Sequence, residues 1–150
     1  MKLKDLKKQK SWYSGKKKKH TIKTQILADA KTLKIYSISR SKGSIHDFKL
    51  FKNSYIGLPD KIKIQGDSGY QGIQKIHTNS EIPKKATKLH KLTKEDKDNN
   101  RRISKERTFI EHINSHIKRF KILSTRYRNK RKKHGLRMSL ICGIYNYELI

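Results

Sequence analysis

The chain of 150 residues has one cysteine, two prolines, one tryptophan, and only 12 acidic side chains against 39 lysines and arginines. Each scarcity excludes something. With Cys142 alone there is neither a disulfide framework nor a Cys/His metal knuckle. Cys142 lies in an apolar helical pattern and is expected to be a reduced core residue. No apolar run approaches the roughly 18 residues of a membrane-spanning helix, and the N-terminus lacks the apolar core of a signal peptide. Neither a P-loop nor a G-x-S-x-G elbow nor a Cys–His context is present, so phosphate cradling by a glycine loop and serine or cysteine nucleophiles drop out. A hydrophobic content of 33% supports one modest core, and the length suits one domain.

What is abundant is positive charge. A net charge of +27 makes a compact body repel itself, and a polyanionic partner relieves that repulsion. Nucleic acid is the default partner, because neutralising phosphates gives affinity independent of sequence. Charge alone does not separate DNA from RNA, and an anionic membrane surface competes as a target. The expected location is the cytoplasm, in association with the nucleoid. Residues 1–19 form a basic arm or loop in which Lys16, Lys17 and Lys18 follow Trp12 and Tyr13, so rings for stacking alternate with cations for phosphates. A solvated arm explains residues 1–10 equally well. Residues 118–137 hold ten lysines and arginines and no acid, among them Lys118, Arg119, Arg126, Arg128, Lys130 and Arg131. A solvated helix face rarely runs that far without an acidic residue, so a DNA-tracking surface is expected here.

Between these basic stretches the pattern is α/β. Ile22, Thr24, Ile26 and Ala28 alternate along residues 20–29, and residues 33–38 return after a turn at 29–32, which predicts a hairpin. Phe48, Leu50 and Phe51 have helical spacing after Asp47, an N-terminal cap or first-turn acid. Residues 61–64 predict a short strand, and 70–77 a short helix burying Ile73 and Ile76. Thr93 with Asp96 three residues on predicts a helix start. Ile103, Ile110, Ile113, Ile117 and Phe120 recur at steps of 7, 3, 4 and 3, predicting one helix over 103–123. Leu136, Leu140, Ile141, Ile144 and Tyr145 predict a last helix packed on the sheet.

Two carboxylates stand out. Asp67 follows the strand and precedes a glycine-flanked turn, Gly66-Asp67-Ser68-Gly69, at the kind of sheet edge where α/β active sites open. It reads equally as a helix cap. Glu111 lies about 100° around from Ile110, at the border of the apolar stripe, and its plainer reading is a surface pair with Arg107. Forty-four residues apart, the two acids could meet across one sheet edge, and hard Mg²⁺ or Mn²⁺ prefers such oxygen ligands.

Several passages carry a resemblance. They are Trp12-Tyr13-Ser14-Gly15-Lys16-Lys17-Lys18, His20-Thr21-Ile22-Lys23-Thr24-Gln25 and Gly43-Ser44-Ile45-His46-Asp47-Phe48. Further on come Gly66-Asp67-Ser68-Gly69-Tyr70-Gln71-Gly72, Ile110-Glu111-His112-Ile113-Asn114 and Tyr127-Arg128-Asn129-Lys130-Arg131. In this order and spacing, from about residue 8 onward, the chain resembles the C-terminal catalytic domain of bacterial insertion-sequence transposases of the DDE superfamily. The resemblance implies a ribonuclease H-like mixed sheet with flanking helices. It implies Asp67 and Glu111 as catalytic ligands of a divalent metal cation (Mg²⁺ or Mn²⁺), with DNA, both transposon ends and target, as partner. His46 and Asp47 match a recurrent passage outside the catalytic triad and are candidates for support.

The chain departs from that family in one respect. The family's first catalytic Asp lies on a strand ahead of the Tyr-Ser-Gly-Lys-Lys passage, whereas here only a lysine-rich run with Asp5 precedes Tyr13. The expectation is therefore an N-terminally truncated transposase, with residues 20–150 a partial catalytic domain lacking the first, central strand and inactive alone. Two alternatives stand beside it. One is the downstream half of a split or frameshifted transposase that pairs with an upstream half or forms a homo-oligomer. The other is a non-catalytic basic nucleic-acid-binding protein in which Asp67 and Glu111 are structural.

Overall fold

In the computed structural model the described residues are 10, 12–15, 18–87, 91–125 and 133–150. The expectations for Lys16, Lys17, Arg126, Arg128, Lys130 and Arg131, and for Asp5, fall outside them. The architecture is mixed α/β, with small sheets and flanking helices. Strands β1 (Tyr13–Ser14) and β2 (Lys19–His20) form a short antiparallel pair, with Tyr13 edge-on to His20.

The predicted hairpin forms from β3 (Ile22–Ala28) and β4 (Ile35–Lys42), antiparallel, with Ile26 opposite Ile38 and a register shift at Leu27/Ala28. Its turn is written by Asp29. The carboxylate accepts hydrogen bonds from the Thr32 hydroxyl at 2.6 Å, the Thr32 amide at 3.0 Å and the Lys31 amide at 3.2 Å. Those bonds, the Thr32 hydroxyl foremost, hold its pKa below the usual carboxylate value. Leu33 is turned to φ 61°, a strained conformation for a leucine, and packs on the first core. The second strand consequently starts two residues later than the alternation predicts.

Helix α1 (Asp47–Ser54) buries Leu50 and Phe51. Strand β5 (Ile64–Gln65) pairs in parallel with β6 (Ser80–Glu81), Ile64 opposite Ser80 and Gln65 opposite Glu81. The helix expected over 70–77 shrinks to one 3-10 turn, Ile73–Lys75, because Gly72 enters it at φ 88° and breaks the right-handed run. Ile73 is nevertheless buried.

Helix α2 (Lys94–Glu106) begins with the capping box read from the sequence: Asp96 donates its amide to Thr93 Oγ1, and the Asp96 carboxylate accepts from the Thr93 amide. The single helix expected over 103–123 is three pieces: the end of α2, then α3 (Thr108–Ile117), then α4 (Lys121–Ser124). The break at Arg107 lets Ile113 and Ile117 enter a core that Ile103 does not join. Helix α5 (His134–Tyr147) buries Met138, Ile141, Cys142 and Tyr145. Leu136 and Leu140, expected on the sheet, are 72% and 64% exposed. Apolar residues circle this helix, so the sequence pattern could not choose its inner face. Cys142 is buried as expected, and burial pushes its thiol up to about 11.

Among the described residues the core is split in two. The first cluster joins Ile35, Ile113, Ile117, Met138, Ile141, Cys142 and Tyr145, with Ile26, Ala28 and Ile110 against it. The second joins Phe51, Ile64 and Ile73, with Tyr55, Tyr70 and Ile82 against it. Among the described residues no helix is long and apolar enough to cross a membrane.

Candidate active site

Strand β5 delivers the chain to Gly66 and then to Asp67. Gly66 is packed so closely that a Cβ there would lie 3.2 Å from Ile82 and 3.4 Å from Tyr70. The Asp67 carboxylate folds back over the turn: Oδ1 accepts the Gly69 amide in a short hydrogen bond, and the Tyr70 amide donates to the Asp67 carbonyl at 3.0 Å. So the turn reading of Asp67 describes its geometry, yet the side chain stays exposed. Oδ2 carries no hydrogen bond among the described residues. Asp67 opens onto a cavity of about 1000 Å³ bounded by β3, β5 and α3. Its negative charge reaches Tyr70. Burial first, then Asp47 and Asp67, push the Tyr70 phenol up to about 12.

Glu111 lies in the first turn of α3, exposed, on a second cavity of about 530 Å³ with Asn114, Ser115, Lys118 and Arg119. The ion pair with Arg107 does not form among the described residues. The two acids therefore occupy neighbouring cavities, and Asn114 lines both. Asn114 was visible in the sequence only as a neighbour of Glu111. Its bridging position follows from α3 running between the cavities.

A different glutamate shares the Asp67 cavity. Glu106 lines it, but its carboxylate is occupied, taking a hydrogen bond from Gln65 and one from Arg102 at 2.6 Å. These bonds, Gln65 first, lower its pKa. Arg102 also bridges to Glu81, which Lys63 pairs at 2.6 Å and Gln65 reaches at 3.1 Å. This lattice fixes β5 against β6 and α2. Sequence reasoning missed it; the i, i+4 spacing of Arg102 and Glu106 is a signal that could have found part of it.

His46 and Asp47 are engaged in the fold. His46 caps α1, its Nδ1 accepting the Phe48 amide at 3.3 Å. Asp47 pairs with Lys23 at 3.0 Å, and Lys23 also donates to the Ile45 carbonyl at 2.6 Å. Among the basic candidates, Lys18, Lys118 and Arg119 are described and exposed. Lys118 and Arg119 flank Glu111, so an anion approaching that acid meets two cations.

The donor chemistry of Asp67 and Glu111 suits a hard divalent cation: both are exposed carboxylates, and neither joins an ion pair among the described residues. Among those residues, no three His, Cys, Asp or Glu side chains cluster as a metal site.

A family model described as DDE superfamily endonuclease matches residues 2–146. The chain is 49% identical over 143 residues to a probable transposase for insertion sequence element IS702 from Microchaete diplosiphon. That match covers 95% of this chain and 52% of the relative, so the chain spans about half the relative's length. No solved structure matches it. By this breadth of match, the chain belongs to the DDE superfamily endonucleases and is of the insertion-sequence transposase kind.

Proposed function

We propose that residues 20–150 are part of a DNA-cutting and strand-transfer domain of ribonuclease H-like type, lacking that fold's first strand. In this reading residues 1–19 are a basic arm for DNA. Asp67 and Glu111 would hold a divalent cation, Mg²⁺ or Mn²⁺, and Asn114 lines the cavities of both. Such a cation supplies Lewis acidity for attack on a phosphodiester by water or by a DNA 3′-hydroxyl. The protein's own part is positional. The Gly69 amide holds the Asp67 carboxylate at the mouth of its cavity, and Lys118 and Arg119 draw the phosphate backbone toward Glu111. Lys18 adds a contact on the arm side, and the remaining lysines and arginines named above are further candidates for phosphate contacts. Among the acids of this chain only Asp67 and Glu111 match the family's catalytic positions, so turnover by the chain alone is expected to be negligible, and an upstream half or a second copy is its working partner in the cytoplasm. The observation that carries the reading is that two exposed carboxylates outside any ion pair among the described residues lie in adjoining cavities, while Glu106, which shares the Asp67 cavity, is tied up.

A second reading, a DNA-binding protein without catalysis, is favoured by the lack of a three-ligand cluster among the described residues and by the net charge of +27. Titration of Mn²⁺ into the wild type, Asp67→Asn and Glu111→Gln separates the two. Losing even a supporting partner of a metal ligand costs about 10–100-fold in affinity, so each substitution should weaken Mn²⁺ by at least about tenfold. DNA affinity should stay within about twofold, because phosphate neutralisation dominates it. Equal Mn²⁺ binding by all three proteins would leave the non-catalytic reading standing.

A further inference from the structure

We propose that the outward face of α5 is a self-association surface, on which two copies of this chain pack α5 against α5, antiparallel and related by a twofold axis. The helix itself carries this inference. Only its use, to place two copies on one DNA, rests on the function proposed above.

Helix α5 is apolar on two sides. Met138, Ile141, Cys142 and Tyr145 turn inward to the first core. Leu136, Leu140 and Tyr147 are 72%, 64% and 78% exposed, and Gly143 is exposed with them. At about 100° per residue these four lie within about 60° of one another, on the side away from the core. Their steps of 4, 3 and 4 are the spacing of a coiled-coil seam, a row that a second helix fills. Two copies carrying +27 each repel, so a surface they share needs low local charge. In a chain that is 34% charged, α5 supplies it, with Arg137 as its one charged residue at neutral pH.

Charge selects the occupant and its direction. Lys133 and Arg137 mark the N-terminal end of α5, and Glu148 follows its C-terminal end. A parallel pair would set those cations against their own copies. An antiparallel pair sets Glu148 against Lys133 and Arg137 of the second copy and opposes the two helix dipoles. Arg137 and Glu148 also share one flank of the seam, and in an antiparallel twofold pair each flank faces its own copy. Glu148 stands 3.5 Å from His116, with about half its side chain open to a further cation. Shape agrees with charge. Among the described residues a Cβ at Gly143 would meet nothing within 4 Å, so the glycine leaves a gap in the row. The register that seats Leu140 of the second copy in that gap also sets Leu136 against Tyr147. Twofold symmetry makes each of these contacts twice.

The test is sedimentation of the whole chain without DNA or metal, so that failure here and failure of the nuclease reading stay distinct. One helix face per copy is a small interface, below about 1,200 Å² in total, so dimers are expected at about 10–100 µM. Leu140→Glu puts a charge into the seam twice and should weaken the dimer at least about tenfold. Ile56→Glu, at an exposed apolar residue away from α5, should change it less than about twofold. Salt raised from about 0.15 to 0.5 M should tighten the dimer by screening the like charge of the copies, the reverse of its effect on DNA binding. Orientation is read by oxidising a mixture of Leu136→Cys and Tyr147→Cys chains. The mixed disulfide should form at least about tenfold faster than either chain bridges to itself, because antiparallel packing sets the two copies of position 136 about 16 Å apart, beyond the ~7 Å a disulfide spans. Cys142 is buried and stays out of that reaction. A monomer at every concentration would overturn the proposal, as would a dimer that Leu140→Glu leaves intact or that salt dissolves. Faster bridging of the Leu136→Cys chain to itself would overturn the antiparallel arrangement.

Discussion

The hairpin half and the β5–β6 half are held together by different chemistry. In the first, β4, α3 and α5 bring seven buried side chains into one cluster. A polar tie is added by Asn146, whose side chain takes the Ile35 amide and returns a bond to the Ile35 carbonyl, both at 2.8 Å. In the second, three buried apolar residues are supplemented by side-chain hydrogen bonds and ion pairs around Gln65, Glu81 and His77. Packing is indifferent to pH and salt, whereas the polar lattice is not. The half that carries Asp67 is thus the more adjustable one, and the two acids straddle the border: Asp67 on the polar half, Glu111 on a helix of the apolar half.

The strongest way to break this contrast is Ile113→Ala. Ile113 is 1% exposed in the first cluster, and such truncations cost about 2–5 kcal/mol. A loss of about 3 kcal/mol in urea unfolding is expected, with exchange quickening more at Ile35 than at Ile64. Equal quickening at both would show that the two clusters unfold as one unit. Asn146→Ala comes next. It strips two partners from the backbone of Ile35, at about 1 kcal/mol or more apiece, so about 2 kcal/mol is expected with no dependence on pH between 5 and 8.

The second half should answer to acid. Burial alone would raise the pKa of Glu81, but hydrogen bonds from Lys63, Gln65 and Arg102 outweigh it and hold it at about 2. Because the folded value lies below the ordinary 4.5, the stabilisation is complete above that pH and disappears as the pH falls from about 4.5 toward 2. Lys63 and Arg102 are about half exposed, so solvent screening limits the effect to roughly 1–2 kcal/mol. Glu81→Gln should flatten the acid limb of a pH–stability curve and reduce its sensitivity to salt. An unchanged acid limb would move the source of acid sensitivity elsewhere, to Asp29 or Asp96.

How far the sequence reached follows the range of the interactions. Local signals were legible: the alternation of Ile22 to Ala28, the Thr93–Asp96 capping box, the turn residues after Asp29, and Asp67 at the end of its strand. Each depends on neighbours a few residues away. The breaks at Gly72 and Arg107 were not legible, since an apolar stripe runs through both positions without showing the backbone's change of direction. The inner face of α5 depends on what packs against it, 111 residues away in the case of Asn146 and Ile35. At the site, spacing suggested that Asp67 and Glu111 could meet, while the structure sets them in adjoining cavities and puts an engaged Glu106 beside Asp67. Only tertiary placement distinguishes those two glutamates.

The smallest expected effect probes the contrast most directly. In the second half, His77 is buried and faces the Ile62 carbonyl through Nε2 at 2.6 Å. A carbonyl only accepts, so Nε2 carries a hydrogen, and in the neutral ring Nδ1 then accepts from the Tyr55 hydroxyl at 2.8 Å. The same hydroxyl oxygen accepts the Leu58 amide at 3.1 Å. Tyr55→Phe keeps the ring on Phe51, whose centroid lies 5.2 Å away, and removes only the hydroxyl. The Leu58 amide and His77 Nδ1 then lose their partner, which should cost about 1 kcal/mol and speed exchange at Leu58. If phenylalanine proves neutral in both measurements, apolar packing holds this half just as it holds the other, and the Asp67 side would be no softer than the Glu111 side.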